Sequence, residues 1–309
     1  MPEKTQLIVE GRKLAVSNLN KVLYPKAGFT KGELIDYYIR IAPVLLPHLQ
    51  NRPLTMKRYP NGVEGEFFYE KNCPSHRPSW VKTAKVWSEG NNRDMHYCLA
   101  QDLPTLVWAA NLADIELHTS LARKSNVARP TMMVFDLDPG GPADIVQCCQ
   151  VGLWLRELLA GMKLDSWPKT SGSKGLQVYV PLNTPAVTFD QTKGLSRALA
   201  EHLEQEHPKL VISKMARALR AGKVFVDWSQ NDEHKTTVNV YSLRAKEQPT
   251  VSTPVTWKEV ETTLKKKDAK LLVFPSTNVL KRVEKLGDLF EPVQTLKQKL
   301  PKKWSFSSA

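Results

Sequence analysis

Asp136 and Asp138 stand two residues apart at the end of TMMVFDLD (131–138), a nearly continuous apolar run. On an extended strand, residues i and i+2 face the same side, roughly 6.6 Å apart along the axis. Two carboxylates so placed, beside a Pro-Gly turn at 139–140, repel each other unless a cation sits between them. Mg²⁺ or Mn²⁺, which take oxygen ligands, is the simplest solution. For a single Asp, a turn-opening role in Asp138-Pro139-Gly140 is the plainer reading. Asp227 repeats the context at the end of KVFVD. It is the third carboxylate that a two-ion site needs to clamp the attacking and leaving oxygens of a phosphoryl displacement.

A second chemical feature lies between those two strands. TSGSKG (170–175) packs Thr170, Ser171, Gly172, Ser173, Lys174 and Gly175 directly before the strand-like LQVYVP. Small residues let backbone N–H groups approach an anion, hydroxyls donate, and Lys174 adds charge. The spacing is not that of a P-loop, and a strand follows where a helix should. A Ser/Gly-rich loop with no ligand is the bland alternative.

Elements must hold these residues in place. The pattern predicts an amphipathic helix over 31–50, started near Thr30 and ended near Pro47. Short strands are expected at 53–59 and 66–70, a helix at 103–112 and a strand at 113–118. The apolar run 131–138 reads as a buried strand. Beyond it come a helix at 142–161, a strand at 176–181, a helix at 189–206 and a short helix at 213–220. Strands at 223–228 and 237–241, a β-like stretch at 249–257 and a helix at 256–267 complete the pattern. Strands and helices alternate, so the class is α/β or mixed α+β.

The 309 residues carry 44 Lys and Arg against 31 Asp and Glu, a net charge of +13. That excess suits a polyanion, and nucleic acid is the default candidate. With 41% hydrophobic residues the chain can bury a core. No apolar run reaches the roughly 20 residues of a membrane span, and the polar N-terminus carries no signal-like run. The four Cys form no CxxC pair, so neither a disulfide framework nor a zinc knuckle is expected. A cytoplasmic, reducing setting follows, with no membrane partner. Residues 262–309 hold eleven Lys and Arg against four acids, a basic segment that no motif claims.

Seven segments in order carry a resemblance. They are NLNKVLYPKAGFTKGELIDYY (18–38), RPLTMKRYPNGVEGEFFYEKN (52–72), IELH (115–118), FDLDPG (135–140), TSGSKGLQVYVPL (170–182), FVDWSQN (225–231) and YSLRA (241–245). Together they resemble the polymerase domain of bacterial ATP-dependent DNA ligase D, of the archaeo-eukaryotic primase superfamily, in a stand-alone or excised form. The resemblance implies a primase-polymerase fold, with mixed central sheets flanked by helices and an active site in the cleft between them. One domain over 1–290, with two lobes, and a basic tail over 291–309 are expected, the final WSFSSA frayed.

The implied activity is nucleotidyl transfer in DNA repair. Primer ends would be extended and short gaps filled with (ribo)nucleoside triphosphates, as in bacterial non-homologous end joining, using two Mn²⁺ or Mg²⁺ ions. By motif, Asp136, Asp138 and Asp227 would be the metal ligands and His118 a further catalytic residue. Ser171, Gly172, Lys174, Gly175, Gln177, Arg220, Gln230, Arg244, Lys57 and Asn18 would meet the nucleotide. Lys21 and Lys31 would bind a DNA 5′-phosphate, and Phe67 and Phe68 would stack on template bases. Adjacent strand residues face opposite sides, so both Phe can be exposed only on a loop. The implied partners are DNA with 5′-phosphate ends or gaps, nucleoside triphosphates, a Ku-type end-binding protein and a DNA ligase. Association with the nucleoid follows when DNA is bound.

The family pattern reads SGSKGLH, whereas this chain has Gln177 at the histidine position. Glutamine offers an amide donor but no charge. Two rival functions are a non-catalytic DNA-end scaffold with a decayed site and a haloacid-dehalogenase-like phosphotransferase using Asp136 as nucleophile.

Overall fold

The computed structural model describes residues 4–88, 90 and 92–301. The chain forms two compact units. Unit 1 takes residues up to 125, 236–252 and 274–288; unit 2 takes 126–235, 253–273 and those from 289.

In chain order, unit 1 opens with β1 (Lys4–Val9), β2 (Arg12–Ser17), β3 (Val22–Tyr24), β4 (Phe29–Thr30) and helix α1 (Lys31–Leu49). It continues with β5 (Leu54–Arg58), β6 (Phe68–Glu70), β7 (Thr83–Ser88), β8 (Arg93–Cys98), α2 (Leu103–Asn111), β9 (Asp114–Thr119) and β10 (Ala122–Arg123). Unit 2 follows with β11 (Asn126–Pro130), β12 (Met132–Pro139), α3 (Ile145–Gly161), β13 (Trp167–Thr170), β14 (Leu176–Pro181), α4 (Phe189–Glu206), β15 (Val211–Ile212) and β16 (Val224–Asp227). The chain then supplies β17 (Thr237–Val238) to unit 1, α5 (Trp257–Lys266) to unit 2, α6 (Ser276–Leu286) to unit 1 and α7 (Pro292–Thr295) to unit 2.

The main sheet of unit 1 runs β17-β9-β5-β8-β7, with β6 also paired to β5. Helices α1 and α2 pack on each other, and α2 packs on β9. The sheet of unit 2 runs β13-β14-β12-β16-β15, antiparallel except for the parallel β15–β16 pair. The fold is therefore mixed α/β, as the sequence predicts. Helix α3 covers one face of that sheet: a Cβ added at Gly152 would come within 3.6 Å of the Leu137 side chain. Phe135 and Leu137 are fully buried, which turns Asp136 and Asp138 to the opposite face.

Several boundaries differ from expectation. Helix α1 passes through Pro43 and Pro47 to Leu49. The burial of Leu45, His48 and Leu49 outweighs the loss of a backbone donor at each proline. Helix α3 starts three residues late because Asp144, not Pro142, caps it, with Gln147 closing a capping box. The helix expected at 213–220 is one 3₁₀ turn, Arg217–Leu219. The β1–β2 and β7–β8 hairpins and α6 were not expected from the pattern. One disulfide joins Cys73 to Cys98, Cα to Cα 5.0 Å, against the expectation of unpaired cysteines.

The part of the basic tail within the described residues packs on unit 2. Val293 is buried, and Gln298 Nε2 donates to the carbonyls of Asp165 and Pro181, both at 3.0 Å. The terminal WSFSSA lies outside the described residues. Among the described residues no helix is long and apolar enough to cross a membrane.

Candidate active site

Unit 2 brings the three expected carboxylates together. Asp136 on β12 lies directly opposite Asp227 on β16 in the antiparallel register, and Asp138 follows two residues on along the same face. Like charges facing each other across strands are destabilising, so the sheet holds an unfavourable arrangement. Its electrostatic signature is on Asp136. Burial, then the charges of Asp138 and Asp227, push its carboxyl up to about 7, against relief from Gln177 and Lys169. Asp136 Oδ1 is enclosed and has no hydrogen-bond partner. Asp227 is better satisfied. Its Oδ1 accepts from the Ser229 backbone N–H (2.9 Å) and hydroxyl (2.6 Å), and its Oδ2 accepts from Gln230 Nε2 (3.0 Å).

The Ser/Gly loop runs against this cluster. A Cβ on Gly175 would stand 2.2 Å from the Leu137 carbonyl and 3.5 Å from Asp138 Oδ1; only glycine allows that approach. Gly172 has a positive φ of 69°, which glycine adopts without strain. Ser171 Oγ accepts from the N–H groups of Ser173 (3.2 Å) and Gly175 (3.1 Å), closing the loop on itself. Lys174 is exposed at its tip. Arg220 is held next to the DxDPG turn: a Cβ on Gly140 would collide with its carbonyl at 1.9 Å. Its guanidinium lies 3.7 Å from the Phe225 ring centroid, and Nη2 donates to the Met215 carbonyl (2.6 Å).

The remaining expected residues lie in unit 1, in two groups. Lys57, His118 and Arg244 converge on Glu116, a residue that sequence reasoning missed. Glu116 is 1% exposed. Its Oε2 lies 2.9 Å from His118 Nε2, 3.3 Å from Arg244 Nε and 3.6 Å from Lys57 Nζ. Its Oε1 accepts the Ala245 N–H at 3.0 Å. Burial pushes this carboxyl up, but the His118 hydrogen bond and the Arg244 and Lys57 charges overcome it and hold Glu116 far below the usual carboxylate range. Burial lowers both His118 and Lys57, while Glu116 raises both. The only trace in the sequence was the Glu-x-His spacing of IELH, which sets both side chains on one face of β9.

Lys57 also lies under an aromatic group. Its Nζ is 4.3 Å from the Phe67 centroid, 5.3 Å from Tyr59 and 5.4 Å from Tyr69. Phe67, Phe68 and Tyr69 are 50%, 44% and 53% exposed, so neither Phe is core. Tyr69, also missed, meets Phe67 edge-on at 5.9 Å. Arg58 lies 5.0 Å from the Phe68 centroid.

The second group holds Asn18, Lys21 and Lys31. The Lys31 N–H donates to the Lys21 carbonyl (2.8 Å) and the Lys21 N–H to that of Asn18 (2.9 Å), so the two lysines, ten residues apart, are neighbours. Asn18 thus lies beside the expected phosphate pair. Lys21 Nζ donates to Asn61 Oδ1 (3.2 Å). Lys31 is only 6% exposed, with Nζ donating to the Ser17 carbonyl (2.7 Å). Burial, then the Lys21 and Arg58 charges, lower its ammonium to about 8.

Among the described residues, no group of three or more His, Cys, Asp or Glu side chains is arranged to hold a metal ion. The donor set nevertheless fits a divalent cation. It is all oxygen, it is mutually repulsive, and it includes one enclosed oxygen with no partner. Mg²⁺-type sites use few carboxylates and fill the rest of the shell with water and substrate phosphate.

Known proteins resemble this chain over most of its length. Residues 30–290 match the family described as the LigD primase-polymerase domain. The chain is 41% identical over 283 residues to the multifunctional non-homologous end joining protein LigD of Mycolicibacterium smegmatis, covering 91% of this chain and 36% of that protein. It is 32% identical over 300 residues to the bifunctional LigD of Bacillus subtilis, covering 94% and 47%. The chain thus spans less than half the length of these relatives. Among solved structures, the polymerase domain of Mycobacterium tuberculosis ligase D in complex with DNA superposes with a TM-score of 0.85 at 40% identity, covering 92% of this chain and 99% of that one. With the carboxylate strands, the glycine-requiring loop and these matches in agreement, the chain belongs to the LigD primase-polymerase family.

Proposed function

We propose that this chain is a DNA-repair nucleotidyltransferase that extends primer ends and fills short gaps from nucleoside triphosphates, as in non-homologous end joining. The observation that carries the reading is the carboxylate cluster of Asp136, Asp138 and Asp227, packed against the Ser171–Gly175 loop. Asp136, Asp138 and Asp227 would hold two divalent ions, Mn²⁺ or Mg²⁺. When bound, such ions supply Lewis-acid activation of a primer hydroxyl and neutralise the leaving pyrophosphate.

The chain's own residues bind and orient. Lys174 and Arg220 bring positive charge to the triphosphate, and the glycines at 172 and 175 keep the loop low enough for it to lie close. Asp227, capped by Ser229 and Gln230, is rotationally fixed. In unit 1, Lys57 and Arg244 offer positive charge to an anion, and His118 an imidazole beside them. Phe67 and Phe68 stack on template bases without reading sequence, and Lys21 and Lys31 take a 5′-phosphate. A Ku-type protein and a DNA ligase are the expected partners, in the cytoplasm at the nucleoid. Family membership removes the haloacid-dehalogenase alternative.

The test is extension of a gapped, 5′-phosphorylated DNA by one labelled nucleotide with Mn²⁺. Wild type is expected to incorporate, and Asp136→Ala to lose at least about a hundredfold in rate, the scale of removing one group that stabilises transition-state charge. Equal signal from both, or none from either, leaves only a DNA-end scaffold.

A further inference from the structure

Four side chains form one row across the sheet of unit 2. Lys169 on β13 is the register partner of Gln177 on β14, Gln177 of Asp136 on β12, and Asp136 of Asp227 on β16. Lys169 is fully enclosed and Gln177 is 2% exposed. Lys169 Nζ donates to Gln177 Oε1 at 2.5 Å, and the Tyr179 hydroxyl approaches the same oxygen at 3.5 Å. An ammonium has donors only, so the amide oxygen of Gln177 must face Lys169. That fixes the amide orientation and leaves its NH₂ for Asp136, its register partner on β12, whose carboxyl Gln177 helps to lower. One oxygen of the Asp136 carboxylate, Oδ1, is enclosed and has no hydrogen-bond partner.

We propose that Gln177 is a positioning residue for Asp136. Lys169 fixes the amide, the amide fixes the rotation of the carboxylate, and Oδ1 is thereby presented to the cation. This rests on the metal-binding reading of the three carboxylates. Only a side chain that accepts and donates at once can join an ammonium to a carboxylate, and glutamine does both. Gln177 thus acts on the metal ligand, with its amide oxygen already committed to Lys169 and Tyr179. Partners that orient a metal ligand in this way typically contribute about 10–100-fold to metal affinity.

The test is Mn²⁺ affinity of the full chain without nucleotide, measured by the electron paramagnetic resonance signals of free and bound ion. Gln177→Met keeps the length and shape but removes the amide. Gln177→Asn keeps the amide but withdraws it by one methylene. Both are expected to weaken Mn²⁺ binding about tenfold or more and to broaden the bound-ion spectrum. Near-UV circular dichroism and binding to a gapped DNA in EDTA should stay as in wild type. Affinity within about twofold of wild type in either folded variant overturns the inference and leaves the metal reading intact. Absence of Mn²⁺ binding by the wild-type chain overturns both.

Discussion

Glu116 and Asp136 are both strand residues with buried neighbours, yet their surroundings are opposite in sign. Glu116 is encircled by Lys57, His118 and Arg244, whereas Asp136 faces Asp227 across the sheet and shares its own strand face with Asp138. The first carboxyl is held far below its ordinary range; the second is pushed up to about 7. In unit 1 one acid holds several bases and leaves surplus positive charge, which suits an anion. In unit 2 three acids share one face with like charges as neighbours, which suits a cation. A metal-dependent transfer of a nucleotide needs both kinds of site, and local charge balance tells them apart where residue type alone does not.

The largest effect expected from breaking this contrast is at Glu116. Glu116→Gln leaves Lys57, His118 and Arg244 without their shared counter-charge. Removing one member of a buried ion cluster costs about 3–5 kcal/mol, so the denaturation midpoint should fall steeply. The Michaelis constant for nucleotide should rise more than kcat falls, because the cations lose their placement. An unchanged midpoint would mean that the cluster is loosely solvated.

Asp136→Asn should do the reverse. Between pH 4 and 7 the native Asp136 carboxyl keeps a proton that the unfolded one has released, so its stability contribution falls as pH rises. Above pH 7 the full penalty of the buried charge persists. The Asn variant, free of that penalty, is expected to be about 1–3 kcal/mol more stable than wild type in EDTA at pH 8. The gain should vanish near pH 4. Urea unfolding at the two pH values measures it, and destabilisation at pH 8 would contradict the assignment.

Smaller effects concern the unit 1 surface. Phe67→Ala should weaken binding of a template overhang by about 1 kcal/mol, the low end of base–aromatic stacking, with no change in Mn²⁺ affinity. Fluorescence anisotropy of a labelled overhang reads this. At Lys31 the pH effect falls on DNA binding rather than on stability. Its ammonium is lowered to about 8, so it is charged at pH 7 and largely neutral at pH 9. Preference for a 5′-phosphorylated gap over a 5′-hydroxyl one should therefore fall by up to about tenfold between those values. Lys31→Gln should flatten that dependence.

Much of unit 2 was legible in the sequence because its signals are local. The apolar run of β12, the pattern of helix α4 and the Asp-x-Asp spacing each lie within one segment. Boundaries failed where packing overrode local chemistry, as at Pro47 in α1, or where a later cap took precedence, as at Asp144. The Glu116 cluster was not legible, because its members come from β5, β9 and the chain after β17. The same holds for the row from Lys169 to Asp227: Gln177 stood out as a departure from a motif, but only the strand register shows what it bonds. The exposure of both Phe67 and Phe68 depended on where β6 begins, which periodicity could not fix.

On the proposed function, the charge balance gives unit 2 the cation and unit 1 the anion. Anomalous scattering from crystals grown with Mn²⁺ and a non-hydrolysable nucleoside triphosphate tests it most directly. The expected map has its Mn²⁺ peaks within ligating distance of Asp136, Asp138 and Asp227, and none at Glu116. Mn²⁺ bound at Glu116, or no peak at the three aspartates, would contradict the account.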